Sequence, residues 1–292
     1  MDTYMQGKIC LVTGANSGIG KATALGLAQM GATVVMVCRD RARGEAAQSE
    51  IKAKSGNTAV DLLLADLSSQ QAVRQLAEEF KQRYSQLHVL INNAGVFNLT
   101  RRETVDGLEM TFAVNQLAPF LLTNLLLDVL KASAPARIVN VDSDAHEGGY
   151  INMDDLQSAT SYKPMRSYGQ SKLALLLYSY ELARRLQGTG VTVNALHPGF
   201  VGTNIAQGYP PRPVHTVTNF IMSLIGISPE EGAKTSLYLA TLPEVEGVTG
   251  KYFVKSAPKQ SHALSYDESL QQRIWDESAK LVHWPVEASM RP

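Results

Sequence analysis

Residues 8–20 read Lys8-Ile9-Cys10-Leu11-Val12-Thr13-Gly14-Ala15-Asn16-Ser17-Gly18-Ile19-Gly20. An apolar, β-branched run ends in a turn with three glycines, and an amphipathic stretch to about Met30 follows. A short apolar run without period-two alternation predicts a strand buried on both faces, as in a parallel sheet covered by helices. Glycines between such a strand and a helix allow positive φ and close backbone approach, while the helix start presents free N–H groups to a pyrophosphate. The spacing is G-x-x-x-G-x-G rather than the common G-x-G-x-x-G. In isolation a glycine turn can be mere punctuation; its place in a unit opening the chain points to Gly14, Asn16, Ser17, Gly18, Ile19 and Gly20 as a dinucleotide cradle.

Outward from this unit the pattern repeats. Further strands are predicted at Thr33–Cys38, Ala59–Ala65, His88–Asn92, Ala136–Val141, Val191–Leu196 and Gly250–Val254. Helices are predicted over Arg41–Lys54, Gln70–Tyr84, Glu103–Asn115, Pro119–Lys131, about Met165–Leu186 and Asp267–Val282. Strand–helix repetition gives right-handed crossovers, hence an α/β, single-domain, doubly wound parallel sheet of about seven strands with helices on both faces. No composition break marks a second domain in residues 1–292. The expected core is about 5–255, with a lid at about 199–227, where Tyr209, Pro210, Pro211 and Phe220 lie, and a helical tail at about 256–292.

The composition is ordinary, 45% hydrophobic, and 27 basic residues balance 27 acidic ones. That balance gives no basic footprint for nucleic acid. Cys10 and Cys38, the two cysteines, sit in apolar runs and read as buried thiols, and no cysteine–histidine cluster has zinc spacing, so no metal is expected. No signal peptide or bilayer-length apolar run is found, because Pro119, Asn124 and Asp128 interrupt Leu117–Leu130. A protein of the cytoplasm without a membrane anchor is expected. The leucine-rich faces Leu121–Leu130 and Leu173–Leu182 are read as helix packing, with a homo-oligomer interface as the alternative.

The second strand ends in Cys38-Arg39-Asp40. An acid there takes the ribose 2′-OH of NAD, whereas an arginine suits the 2′-phosphate of NADP with its planar fork. Arg39 comes first, which favours NADP(H) over NAD(H); Asp40 keeps NAD open. Tyr168 and Lys172, four apart, project from one helix face. Moving a phenol from its ordinary pKa of ~10 to neutrality takes roughly 4 kcal/mol at about 1.4 per unit. An ammonium about 4 Å away at intermediate dielectric supplies an interaction of that size, so the pair is adequate for acid–base work. Y-x-x-x-K alone also arises by chance.

Four segments occur in order: Thr13–Gly20, Asn92-Asn93-Ala94-Gly95, Tyr168-Gly169-Gln170-Ser171-Lys172 and His197-Pro198-Gly199. Together they resemble the short-chain dehydrogenase/reductase family over about residues 5–255. Cys38-Arg39-Asp40, Asp155-Leu156-Gln157 and the wide gap from Ser143 to Tyr168 are similar to its retinol dehydrogenase-like and WW-domain oxidoreductase-like branch. The resemblance implies a Rossmann fold and a carbonyl reductase or alcohol dehydrogenase acting on a small hydrophobic carbonyl or alcohol. It also implies roles: Tyr168 as proton donor or base, Lys172 as its tuner and a ribose ligand, Ser143 as holder of the substrate oxygen, and Asn115 as support for a relay to Lys172. Asp66 and Leu67 would flank the adenine, Asn92, Ala94 and Gly95 the adjacent ribose, and Pro198, Gly199, Val201 and Thr203 the nicotinamide. Asn92 and Asn93 also read as turn formers.

Departures from the branch are visible. Two consecutive serines are usual where this chain reads Val141-Asp142-Ser143-Asp144. Strand alternation predicts that Asp142 is turned away from the pocket. His146 is expected at the surface or in the pocket wall, and His197 in a structural role. Alternatives to a redox enzyme are a cofactor-binding regulator without turnover and a dehydratase or epimerase on the same fold. Intact Ser143, Tyr168 and Lys172 disfavour the first, and the short tail disfavours the second.

Overall fold

The computed structural model describes residues 4–199 and 227–285. Eight strands form one sheet in the order β3-β2-β1-β4-β5-β6-β7-β8. They are β1 (Ile9–Thr13), β2 (Thr33–Cys38), β3 (Val60–Leu64), β4 (Val89–Asn92), β5 (Ala136–Val141), β6 (Val191–His197), β7 (Lys251–Val254) and β8 (Ala257–Lys259). The first seven pair in parallel, and β8 returns antiparallel to β7. This eighth strand escapes pattern reading because it has three exposed residues, one of them Pro258. Its hairpin turn uses Lys255 and Ser256, both at positive φ, in place of the usual Asn-Gly signal.

Alternation of side chains across the pleat feeds two separate cores. Leu11, Val35, Leu63, Leu90, Ile138 and Val193 face one side, packing with α3 (Gln70–Arg83), α5 (Ala118–Leu125), α7 (Pro164–Arg185) and α9 (Glu268–Leu281). Cys10, Val12, Met36, Ile91, Val139 and Leu196 face the other, against α1 (Gly18–Gln29), α2 (Arg41–Ser55) and α8 (Pro229–Thr241). Both cysteines are free and buried. Among the described residues no helix is long and apolar enough to cross a membrane.

Two helical expectations change, and one further helix appears. The span 103–115 does not form one helix: Thr104, Asp106 and Gly107 make a turn in which the Gly107 and Asp106 N–H groups bond Thr104, and Glu103 bridges Glu109. Asp-Gly turn chemistry outweighs the apolar period there. Helix α4 starts only at Met110 (Met110–Phe112), where the buried Glu109 carboxylate accepts from the Thr111 and Phe112 N–H groups. Next comes a π-helical turn, Ala113–Leu117. The segment 119–131 is split at Leu126 into α5 and α6 (Leu127–Ala132); just before the break the Asn124 side chain donates to the Phe120 carbonyl, a local competitor of the backbone ladder. Helix α8, absent from the pattern reading, carries its own signal: Ser228 caps the Glu231 N–H and Pro229 takes the first position.

The leucine-rich faces are helix packing. Tail helix α9 lies on α7 and puts Trp275 against Phe120 and Tyr178 at ring distances of 5.0 and 5.8 Å. Arg185 stacks over the indole at 4.1 Å.

Candidate active site

Strand β1 lies between β2 and β4, so the order reverses there, the point at which open α/β sheets take ligands in a crevice beyond the carboxyl ends of the strands. The glycine turn lies at that point. Gly14 and Gly18 stand at φ 67° and 53°, the left-handed region that favours glycine. A Cβ on Gly20 would come 2.4 Å from the Asn93 side chain and from the Gly14 carbonyl. The turn is therefore pressed against 93–95. Thr13 ties the two together: its hydroxyl accepts from the Asn93 and Ala94 N–H groups at 2.9 and 3.0 Å. Ser17 precedes α1 without a side-chain cap, which leaves the first-turn N–H groups without that internal acceptor. Asn16, Gly18 and Ile19 are half-buried and Ser17 exposed on this rim.

Arg39 ends β2 with its side chain 73% exposed, 3.9 Å from Asp66. The other Asp66 oxygen accepts from the Ser68 N–H and hydroxyl. Asp40 is the N-cap of α2, accepting from the Arg43 N–H at 2.8 Å. Its carboxylate thus has a structural partner, whereas the exposed Arg39 side chain has only the distant Asp66 contact among the described residues. Leu67 packs on the core beside Asp66, and Ala94 and Gly95 follow β4. A glycine cradle, an uncapped helix start and an exposed arginine together fit a dinucleotide carrying phosphates.

The Asn92 side chain faces the interior. It donates to Asn140 (2.8 Å) and Thr123 (3.1 Å), and Asn140 donates in turn to Ser179 of α7. A strand-end side chain on the α7 face points into that core, so the Asn92 amide joins the sheet to α7.

The catalytic candidates converge from three elements. Asn115 sits in the π turn, a feature that recurs at functional sites. Its amide brackets Val96, accepting from the N–H at 2.8 Å and donating to the carbonyl at 3.0 Å, and it donates to Ser171 at 3.0 Å. Gly95 lies beside both Asn115 and Lys172; a Cβ there would be 3.4 Å from the Asn115 oxygen and 3.8 Å from the Lys172 ammonium. Ser143 follows β5 and caps a 3₁₀ turn, Asp144–Gly148. That turn lies directly on the start of α7, because a Cβ on Gly169 would be 2.8 Å from the Ala145 carbonyl. Backbone contact at Gly169 thus brings Ser143 to Tyr168. Pro198 and Gly199 follow β6, where His197 Nδ1 accepts from the Asp144 N–H at 3.2 Å. Val201, Thr203 and the expected lid lie outside the described residues.

The tyrosine–lysine pair departs from the simple picture. Lys172 is buried and donates to the Val141 carbonyl at 2.9 Å, and its ammonium is 5.9 Å from the Tyr168 ring centre. Burial pushes the Tyr168 phenol up to about 12; the Ser143 hydroxyl opposes the rise, and Asp142 and Asp144 add to it. Burial also lowers Lys172, with Asp142 opposing. Phe97 meets Tyr168 edge-on at 5.5 Å and holds the ring.

Asp142 is turned away from the crevice, as alternation predicts, but into a partner. His146 is fully buried rather than at the surface or in the pocket wall. The 3₁₀ turn folds it beneath Ser143, where its ring meets Tyr252 edge-on at 4.8 Å. Neither Ser171 nor Phe97 was singled out by spacing. Ser171 stands inside the quoted Tyr168–Lys172 segment, whereas Phe97 leaves no local signal.

Comparison with known proteins agrees with this geometry. Residues 8–213 match the family model described as short chain dehydrogenase. Human retinol dehydrogenase 14 is 46% identical over 292 residues, covering 95% of this chain and 87% of the relative. The crystal structure of an uncharacterized protein from Mycobacterium Paratuberculosis superposes with a TM-score of 0.78 at 33% identity, covering 97% of this chain and 96% of that one. The Pseudomonas aeruginosa RhlG/NADP active-site complex gives a TM-score of 0.68 at 29% identity, covering 87% and 97%.

Proposed function

The chain belongs to the short chain dehydrogenase family and is an oxidoreductase; from that premise we propose that it uses NADP(H) to interconvert a hydrophobic ketone or aldehyde and the corresponding alcohol. The observation that carries the reading is the convergence of Ser143, Tyr168 and Lys172 next to the glycine turn. Exposed Arg39 beside the capped Asp40 supports the phosphorylated cofactor. The similarity to the RhlG/NADP complex is consistent with it.

Gly14, Ser17 and Gly18 would receive the pyrophosphate at the start of α1, and Arg39 would pair the 2′-phosphate. When bound, a nicotinamide cofactor would supply or take the hydride, and its oxidised form would add a positive charge to the site. Ser143 holds the carbonyl oxygen toward Tyr168. Tyr168 donates its proton to that oxygen in reduction and takes it back in oxidation. Burial keeps the phenol protonated, as reduction requires, but a raised pKa makes it a weak acid, so both directions gain from an additional positive charge beside it. Lys172 contributes its ammonium at the ribose side, and Asn115 fixes the 95–96 segment against which both sit.

Purified protein is mixed with NADPH and a panel of aldehydes and ketones. Because the human relative is a retinol dehydrogenase, the panel includes all-trans-retinal. NADPH consumption with matching alcohol formation is expected. Binding of NADPH without turnover of any member would favour the regulator, and turnover unchanged in Tyr168→Phe would remove the acid–base role.

A further inference from the structure

Beneath Ser143 lies a buried carboxyl–imidazole couple that the reaction chemistry above leaves unused. Asp142 Oδ2 is 3.1 Å from His146 Nδ1, with both side chains wholly buried. The same Nδ1 is 2.6 Å from the Ser143 carbonyl. A carbonyl only accepts, so Nδ1 carries a hydrogen and donates it there. Neither oxygen of Asp142 gains a hydrogen bond among the described residues, and His146 Nε2 has none either. A buried carboxylate in that condition is costly unless a positive group stands next to it. The imidazole is the group in contact.

We propose that Asp142 and His146 act as a positioning pair for the reaction: His146 tethers the backbone of Ser143, and Asp142 keeps a carboxylate behind Tyr168 and Lys172 that sets where on the pH scale the site works. The inference rests on the oxidoreductase reading above for its effect on turnover, and on geometry alone for the pair itself. Asp142 is anchored by its own N–H to the Leu196 carbonyl at 2.7 Å, and its neighbour Val141 accepts from Lys172. Both ends of the catalytic apparatus therefore hang on residues 141–143.

The surroundings of His146 are defined. Its own turn contributes Asp144 and Glu147, the latter 3.8 Å from Nε2. Tyr252 meets its ring from β7, and Lys259 of β8 reaches Glu147 at 3.6 Å. His197 of β6 and Tyr168, Lys172 and Tyr180 of α7 also feel the charges of this cluster. Burial opposes the charged imidazole, but the contact with Asp142 and its charge prevail, so His146 is raised. Above the pH at which it loses its proton, the Asp142 charge is unbalanced. It then disfavours the Tyr168 phenolate and favours the Lys172 ammonium.

The test follows two readouts on the full chain. The first is the pH profile of alcohol oxidation with NADP, using the alcohol of the best carbonyl in the panel. Asp142→Asn should move the rising limb, which reports loss of the Tyr168 proton, to lower pH by about one unit, the scale of a charge-on-charge shift. His146→Gln, which keeps a donor for the Ser143 carbonyl, should retain more of kcat than His146→Leu. The second is ring NMR of His146 in the unmodified protein, which needs no turnover and survives poor folding of a variant. His146 should titrate above the ordinary ~6.5, and lower in Asp142→Asn. An unmoved limb would overturn the proposal, as would a His146 that titrates like an exposed histidine. Failure of the unmodified protein to turn over any substrate counts against the oxidoreductase chemistry, and the NMR titration still decides the pair.

Discussion

At the end of β2 the charged side chains stand in water, Arg39 at 73% and Asp66 at 44% exposed, 3.9 Å apart. At the end of β5, Asp142 and His146 are 3.1 Å apart with no exposure at all. The first pair has little mutual attraction to lose, because exposed ion pairs are worth about 0–1 kcal/mol. Arg39 can therefore turn to a phosphate without unfolding anything. The second pair cannot separate without leaving a bare charge in the interior. One sheet thus keeps a loose charged pair at the end of β2 and a buried pair at the end of β5.

Several variants sharpen or break that contrast. The largest effect is expected at the proton donor: Tyr168→Phe should lower kcat/KM about 10²–10⁴-fold, measured with NADPH in excess, while NADPH binding followed by fluorescence persists. At the loose end, Arg39→Ser should raise KM for NADPH about 10- to 100-fold, the value of one or two charge-assisted hydrogen bonds. KM for NADH should change little. Equal changes for both cofactors would mean that Arg39 does not read the 2′-phosphate. Asp40→Ala removes the cap of α2 and should lower stability by about 1 kcal/mol, seen in urea unfolding, without altering the NADPH-to-NADH preference.

The smallest effect concerns pH and stability. His146 is raised in the fold by Asp142 despite burial. Its contribution is therefore complete below the unfolded value of ~6.5 and is lost as pH rises through the folded value. The stability difference between the unmodified protein and His146→Gln should accordingly be greatest in acid and shrink toward alkaline pH. Arg39→Ser should show no such trend, since arginine keeps its charge throughout.

Much of the fold was legible. Seven strands lie within a residue or two of their apolar runs, because a strand covered on both faces must be apolar along its length. The glycine turn, Asn115, Ser143, Tyr168 and Lys172 were also legible as residues. Their relations were less so. The side-chain amide of Asn92 lies in a polar chain to Asn140 and Ser179, which no spacing along the chain announces. The 103–115 segment has helical period, yet its Asp106-Gly107 turn and the Glu109 cap decide where the helix starts.

The amino-acid sequence by itself determined the strand–helix alternation, the glycine turn after β1 and the four-residue spacing of Tyr168 and Lys172. Those are local properties, set by hydrophobic period and backbone freedom. Tertiary structure decided that Gly169 lets the Asp144–Gly148 turn rest on α7, that Lys172 bonds the Val141 carbonyl, and that Asp142 meets His146 in the interior. Alternation along β5 could turn Asp142 from the crevice, but only the packing of the 3₁₀ turn between α7 and β7 could supply its partner. Partners across a fold depend on distance and burial, and neither is a property of spacing along the chain.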